Sequence, residues 1–187
     1  SDYNTTGLGG VWDGDGPDDD FNRLVAGIGD SEKTGGGGSF GFGKTAFIKH
    51  SNLHLVVYYS HFPATEATEG NSRRLMAVLL LEPHKIGDKK YTGFCYLGVK
   101  SSTNPNDAAP FVDSEADEIA KKCGISVRDD GEYGTTVAAI DCDVDMNKLK
   151  EAVERYWWPS IHDKNLSVKI FDDNASMHPS IMKNERV

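Results

Sequence analysis

The sequence predicts an α+β sandwich: a mixed, mostly antiparallel sheet with helices on one face. Three observations carry this expectation. β-branched and aromatic runs recur at 53–60, 73–83, 90–99 and 134–143, as strands require. Consecutive runs are close enough to pair antiparallel, since only the loop HKIGDK separates 73–83 from 90–99. With 187 residues, 38% of them hydrophobic, the chain can bury a real core, roughly 70% of its unfolded surface at this size.

In chain order, residues 1–18 are rich in Gly and Asp and read as loop, because glycine supplies positive φ and Asp favours turns. A short helix is expected over 19–26. The polar run GDSEKTGGGG follows, and apolar residues then return with helical spacing in SFGFGKTAFIKH. LHLVVYYS (53–60) is a strand, HFPATEATEGNS a connection, and 73–83 and 90–99 a hairpin. After an Asn/Pro loop, Ser114 with Asp117 forms a capping box opening a helix that stops at Gly124. Residues 134–143 make another strand. Leu149, Ala152, Val153, Tyr156 and Trp157 then recur at helical spacing, and Pro159 ends that helix. A last strand is expected at 165–171, with a loosely held tail from Asp172. The organisation expected is a main domain over 1–145 and a C-terminal helix, strand and tail over 146–187.

Composition narrows the function. Twenty Lys and Arg against 29 Asp and Glu leave a formal charge of −9, which disfavours the chain as a stand-alone binder of phosphate backbones. No apolar run approaches the ~18 residues of a membrane span, and the first residues lack the pattern of a secretory signal. Cys95, Cys123 and Cys142 show no C-x-x-C spacing, so a disulfide framework is not expected and the cytoplasm is the plain setting.

Glycine is the outlying residue. Of 20 in the chain, 13 fall in the first 43 positions, which marks the front of the chain as the place where function is written. Gly38, Ser39, Phe40, Gly41, Phe42, Gly43, Lys44 and Thr45 satisfy G-x-x-x-x-G-K-[ST], the P-loop pattern of a nucleotide site. A P-loop needs a buried strand running directly into it, and here GDSEKTGGG precedes. The same residues fit G-x-x-G-x-G followed by a basic residue. A flexible glycine-rich linker is the third reading, opposed by the interleaved Phe and the GKT ending before a helix.

In its second form this loop resembles the lid of the GHKL ATPases, closest to bacterial relatives of the MORC and MutL branch and to the ninety-kilodalton heat-shock chaperones. Two further stretches in the expected order add to the resemblance. Residues 2–8, DYNTTGL, are similar to the family's first glycine box, usually D-x-G-x-G, with Asp2 and Gly7 as transferable positions, Thr6 beside them, and Asn4 and Thr6 where glycines are usual. Gly134, Thr135, Thr136 and Val137 resemble the last box, a G-T opening a central strand. KYTG at 90–93 and YWWPSI at 156–161 also resemble bacterial members. The resemblance implies a partial Bergerat-type fold in which Asp2 and Thr135 hold the adenine of ATP, the amides of 38–43 close over the phosphates, and Lys44 and Thr45 stand at the following helix. It further implies Mg²⁺ as cofactor and ATP-gated homodimerisation. For a longer parent protein it implies DNA-linked or defence roles, not exercised through this acidic segment.

The family's catalytic helix carries E-x-x-x-N upstream of the first box, its Glu polarising water and its Asn holding Mg²⁺. No E-x-x-x-N occurs in these 187 residues, and the expectation is that it lies before Ser1 in a longer parent. ATP hydrolysis by this chain alone is therefore expected to be poor, with no catalytic residue of its own. A non-enzymatic interaction module on the same fold stays open beside the ATPase and P-loop readings.

Other candidates read as structural. Asp13, Asp15, Asp18, Asp19 and Asp20 lack the glycine and glutamate of an EF-hand and form a solvated acidic loop. His50, His54 and His61 straddle a helix end and a strand rather than one face, against a zinc site. Ser60 and Ser72 have no nucleophile-elbow glycines. Trp157 and Trp158 read as core and interface anchors.

Overall fold

The computed structural model describes residues 1–12, 20–25, 43–100, 108–172, 175–177 and 179, which fall into two units, Ser1–Cys142 and Asp143–Val187. The acidic loop at 13–19, the polar and glycine run at 26–42, the loop at 101–107 and the tail beyond 179 lie outside the described residues.

In chain order the first unit comprises α1 (Asp20–Val25), α2 (Gly43–His50), β1 (Leu55–His61), a 3-10 turn (Glu66–Thr68) and β2 (Arg73–Leu80). The ribbon β3 (His84–Ile86) and β4 (Lys89–Tyr91) follows, then β5 (Phe94–Leu97), β6 (Val99–Lys100), β7 (Ala108–Ala109), β8 (Phe111–Val112), α3 (Asp113–Lys122) and β9 (Gly134–Ala139). The main sheet has the order β5-β2-β1-β9, with β8 also on β2. Every described pairing in it is antiparallel. The fold class is thus α+β with an antiparallel sheet and a few helices, as the strand spacing predicts.

The helices, however, cover both faces of the sheet rather than one. β1 is buried at six of its seven positions, so alternate side chains emerge apolar on both sides. Val56, Tyr58, Met76 and Val78 pack with Phe21 and Val25 of α1 and Ile48 of α2. On the opposite face Val57, Tyr59, Leu75 and Ala77 pack with Ala116 and Ala120 of α3 and with Ile125. A sheet with apolar side chains on both faces needs a layer on each, and the small Ala116 and Ala120 let α3 come close.

Two local expectations are corrected. The run 90–99 is broken: β4 turns back on β3, and only β5 joins β2, with Leu79 opposite Cys95. Gly93 makes the break, with φ +94° and a carbonyl that accepts from the Leu81 amide at 2.9 Å. Ser114 and Asp117 form no capping box at α3, whose N-cap Val112 makes no side-chain cap bond. Asp113 and Asp117 are drawn to the sheet instead. Asp113 Oδ1 accepts from the amides of Ser72 at 2.8 Å and Arg73 at 3.1 Å. Asp117 accepts from the Tyr59 hydroxyl at 2.8 Å and pairs with Arg73 Nε at 3.4 Å. Burial, and then this bond to Asp117, push the Tyr59 phenol up to about 12.

The second unit holds α4 (Met146–His162), β10 (Ile170–Asp172) and β11 (Ala175–Met177). The Asp145 carboxylate caps α4 by accepting from the amides of Asn147 and Lys148. Pro159 lies inside the helix rather than ending it. The predicted strand 165–171 shrinks to β10, and part of the tail pairs with it as β11. Trp157 and Trp158 are not core residues: they are 56% and 47% exposed, and Tyr156 is 71% exposed. Within this unit the described hairpin offers three residues a side, too little surface to cover the apolar stripe of a 17-residue helix.

Gly93 and Gly87 give a paired test of the sheet's turning point. Both have positive φ, but a Cβ at Gly93 would collide with the Leu81 carbonyl whereas one at Gly87 meets open space. Gly93→Ala is expected to lose about 2 kcal/mol more stability than Gly87→Ala in urea unfolding. Equal losses would contradict this account of the break.

Candidate functional site

Among the described residues β9 is an edge strand, with β1 on one side only. The unpaired amide and carbonyl of an edge strand call for a partner. Residues 1–3 supply it at Thr135. The Asp2 amide donates to the Thr135 carbonyl at 2.9 Å, and the Thr135 amide donates to Asp2 Oδ1. A side-chain carboxylate thus stands where a neighbouring strand would present a carbonyl. Ser1 Oγ extends the contact to Thr136 Oγ1 at 3.1 Å.

Gly134 makes this approach possible. At φ +153° its missing side chain leaves space that a Cβ would fill 2.5 Å from Arg128 Nη1 and 2.6 Å from both the carbonyl and Oδ1 of Asp2. Arg128 Nη2 donates to the Asp2 carbonyl at 2.5 Å and lies 3.8 Å from Oδ1. The Asp2 side chain remains 51% exposed.

From Asp2 the chain curls back over β1. Asn4 has φ +58° and Gly7 φ +65°. Asn is among the few side-chain-bearing residues that accept the left-handed region readily, so Asn4 supplies a backbone shape that glycine would also give. Gly7 has no such freedom of replacement, because a Cβ there would collide with the His61 carbonyl. The Thr5 hydroxyl donates to Asp2 Oδ1 at 3.4 Å and accepts from the Gly7 amide at 3.3 Å, while the Thr6 hydroxyl donates to the Gly7 carbonyl at 3.3 Å. The Leu8 amide donates to Ser60 Oγ at 2.7 Å, and Ser60 Oγ is 3.2 Å from Thr135 Oγ1. Ser60 is fully buried and faces Thr135 across the β1–β9 ladder.

The structure therefore brings together Asp2, Gly7 and Thr135, with Thr6 in the same exposed turn. Gly38, Ser39, Phe40, Gly41 and Phe42 lie outside the described residues. Gly43, Lys44 and Thr45 open α2; just past its far end the Ser51 hydroxyl donates to the carbonyl of Ile140, the residue after β9, at 2.5 Å. Two members of the cluster escape sequence reasoning. Ser60 becomes legible only from the strand register, which sets it opposite Thr135. Arg128 stands in an ordinary polar loop, where nothing local marks it. No protein-family model matches the chain, and neither a curated protein nor a solved structure shows significant similarity to it. Among the described residues no helix is long and apolar enough to cross a membrane.

His61 borders this cluster. It is 2% exposed, its Nδ1 lies 3.0 Å from the Glu132 carbonyl, and its ring meets Tyr133 edge-on. Burial, and then the charge of Arg73, hold its pKa below 6.5. A base with a depressed folded pKa contributes stability that is present above its unfolded value and lost as pH falls through the folded one. Acidification from about pH 7 to pH 5 should thus lower the melting temperature of the wild type more than that of His61→Gln. Parallel pH profiles would contradict the role given to His61.

Proposed function

We propose that the chain is the ATP-binding segment of a GHKL-type ATPase on a partial Bergerat-type fold, in which nucleotide gates a conformational switch and dimerisation. The observation that carries this reading is the bond between Asp2 and Thr135, which unites two boxes 133 residues apart. Asp2 is held by the Thr135 amide with its carboxylate half exposed, as a reader of an exocyclic amine must be. An adenine amino group donates to that carboxylate, and a base lacking the donor leaves it unpaired, which is the source of selectivity. The amides of 38–43 with Lys44 and Thr45 would take the phosphates. Mg²⁺ would supply charge neutralisation there, but among the described residues no group of three His, Cys, Asp or Glu side chains could hold a metal, so no step is assigned to it.

A homodimer, a cytoplasmic setting with Cys95, Cys123 and Cys142 as free thiols, and a parent protein linked to DNA or defence belong to the same proposal. The P-loop alternative is less well supported. It needs a parallel sheet, and the described pairings of β1, β2, β5 and β9 are all antiparallel.

Titration calorimetry tests the reading. ATP and ADP should both give binding heat, and Asp2→Ala should cost about 1–3 kcal/mol of affinity, about five- to 150-fold. Binding abolished by Lys44→Ala but indifferent to Asp2→Ala would favour the P-loop. No heat with either nucleotide would leave an interaction module. With no E-x-x-x-N in the sequence, phosphate release by this chain alone should stay at the level of the protein-free control; steady turnover would contradict that expectation.

A further inference from the structure

Among the described residues of its unit Arg128 is the least economical, with two buried side-chain nitrogens left unpaired. Its side chain is 3% exposed, and Nε and Nη1 have no hydrogen-bond partner. A buried guanidinium with orphan donors is costly, and an apolar residue would fill the volume without that cost. What the guanidinium does make is directed at one place. Nη2 donates to the Asp2 carbonyl at 2.5 Å and to Thr136 Oγ1 at 3.4 Å, and Oδ1 of Asp2 lies 3.8 Å away. The Tyr3 ring covers the group, its centroid 4.5 Å from Cζ. Gly134 keeps open the space in which Arg128 Nη1 and Asp2 meet. Asp2, Tyr3 and the residues on both sides of Thr135 are thus organised around one buried cation.

We infer that Arg128 is the positioning residue that sets base selectivity: by holding the backbone of Asp2 and the ring of Tyr3, it fixes the carboxylate on the Thr135 amide in the orientation that accepts from a 6-aminopurine nucleotide. The inference rests on the ATP-binding reading above. It assigns to Arg128 no contact with nucleotide. A residue needed only for folding would weaken all nucleotides alike. A residue that orients Asp2 weakens only those that the carboxylate reads.

The test is a binding titration of ATP and of ITP, whose 6-oxo group replaces the amine, on the full chain. Wild type should prefer ATP. In Arg128→Met that preference should fall by about tenfold or more, while ITP affinity stays within about threefold because its 6-oxo group offers the carboxylate no donor at that position. Arg128→Lys, which keeps the charge but not the planar fork, should recover part of the preference. Tyr3→Leu probes the same clamp at a 63% exposed position, and it decides the matter if the Arg128 variants do not fold: the preference should fall about threefold through loss of the cation–π contact. An unchanged ATP preference in folded Arg128→Met, or in Tyr3→Leu where that protein alone is folded, overturns the inference and leaves the ATP reading standing. A wild type that binds ATP and ITP equally, or neither, overturns both.

Discussion

Among the described residues no strand lies beyond Thr135, and its amide and carbonyl turn instead to the first residues of the chain. That one exchange fixes the candidate site. It joins the N-terminal segment to β9, sets the Asp2 carboxylate at a defined place, and obliges position 134 to be glycine because a Cβ would stand 2.6 Å from Oδ1. Ser60 completes the tie by holding the Leu8 amide from the neighbouring strand. One oxygen of this carboxylate closes a sheet edge, and the group as a whole stays half exposed.

The rigidity behind this exchange comes from a sheet packed on both faces. β1 and β2 are clamped between α1 and α2 on one side and α3 on the other. Ser60, near the end of β1, shares that support, as does His61. Polar groups that enter this environment are drawn into fixed partnerships: Tyr59 with Asp117, Asp113 with the Ser72 and Arg73 amides, and Arg74 with the Gly10 carbonyl at 2.6 Å. These bonds explain why a pattern that reads as a capping box in sequence serves the sheet instead. Tertiary partners with buried donors outcompete a local cap whose groups can turn to water.

Much of the fold was legible because strand signals are local: the Val, Tyr and Leu runs that became β1 and β2, and the Thr and Val of β9, announce themselves by composition. The second helix layer was not, since its small Ala116 and Ala120 carry little apolar signal until they meet the sheet. The stripe through Leu149, Tyr156 and Trp157 has helical spacing, yet it is exposed, because periodicity identifies a face and not what covers it. In the candidate site, Asp2, Gly7 and Thr135 are residues that the sequence singles out and that the fold brings together. Arg128 was not legible: its meaning lies in the distance from its Nη2 to a carbonyl 126 residues away. Asn4, which departs from the glycine pattern, is accounted for by its left-handed φ of 58°.

The central claim is that Asp2 and Thr135 form the base-binding end of a nucleotide site. Amide chemical-shift mapping during titration with adenosine tests it most directly, because adenosine carries no phosphates and isolates that end. The account predicts the largest shifts at Asp2, Thr135 and Leu8. Saturable binding that leaves those three amides unmoved, or no binding to the base at all, would contradict it.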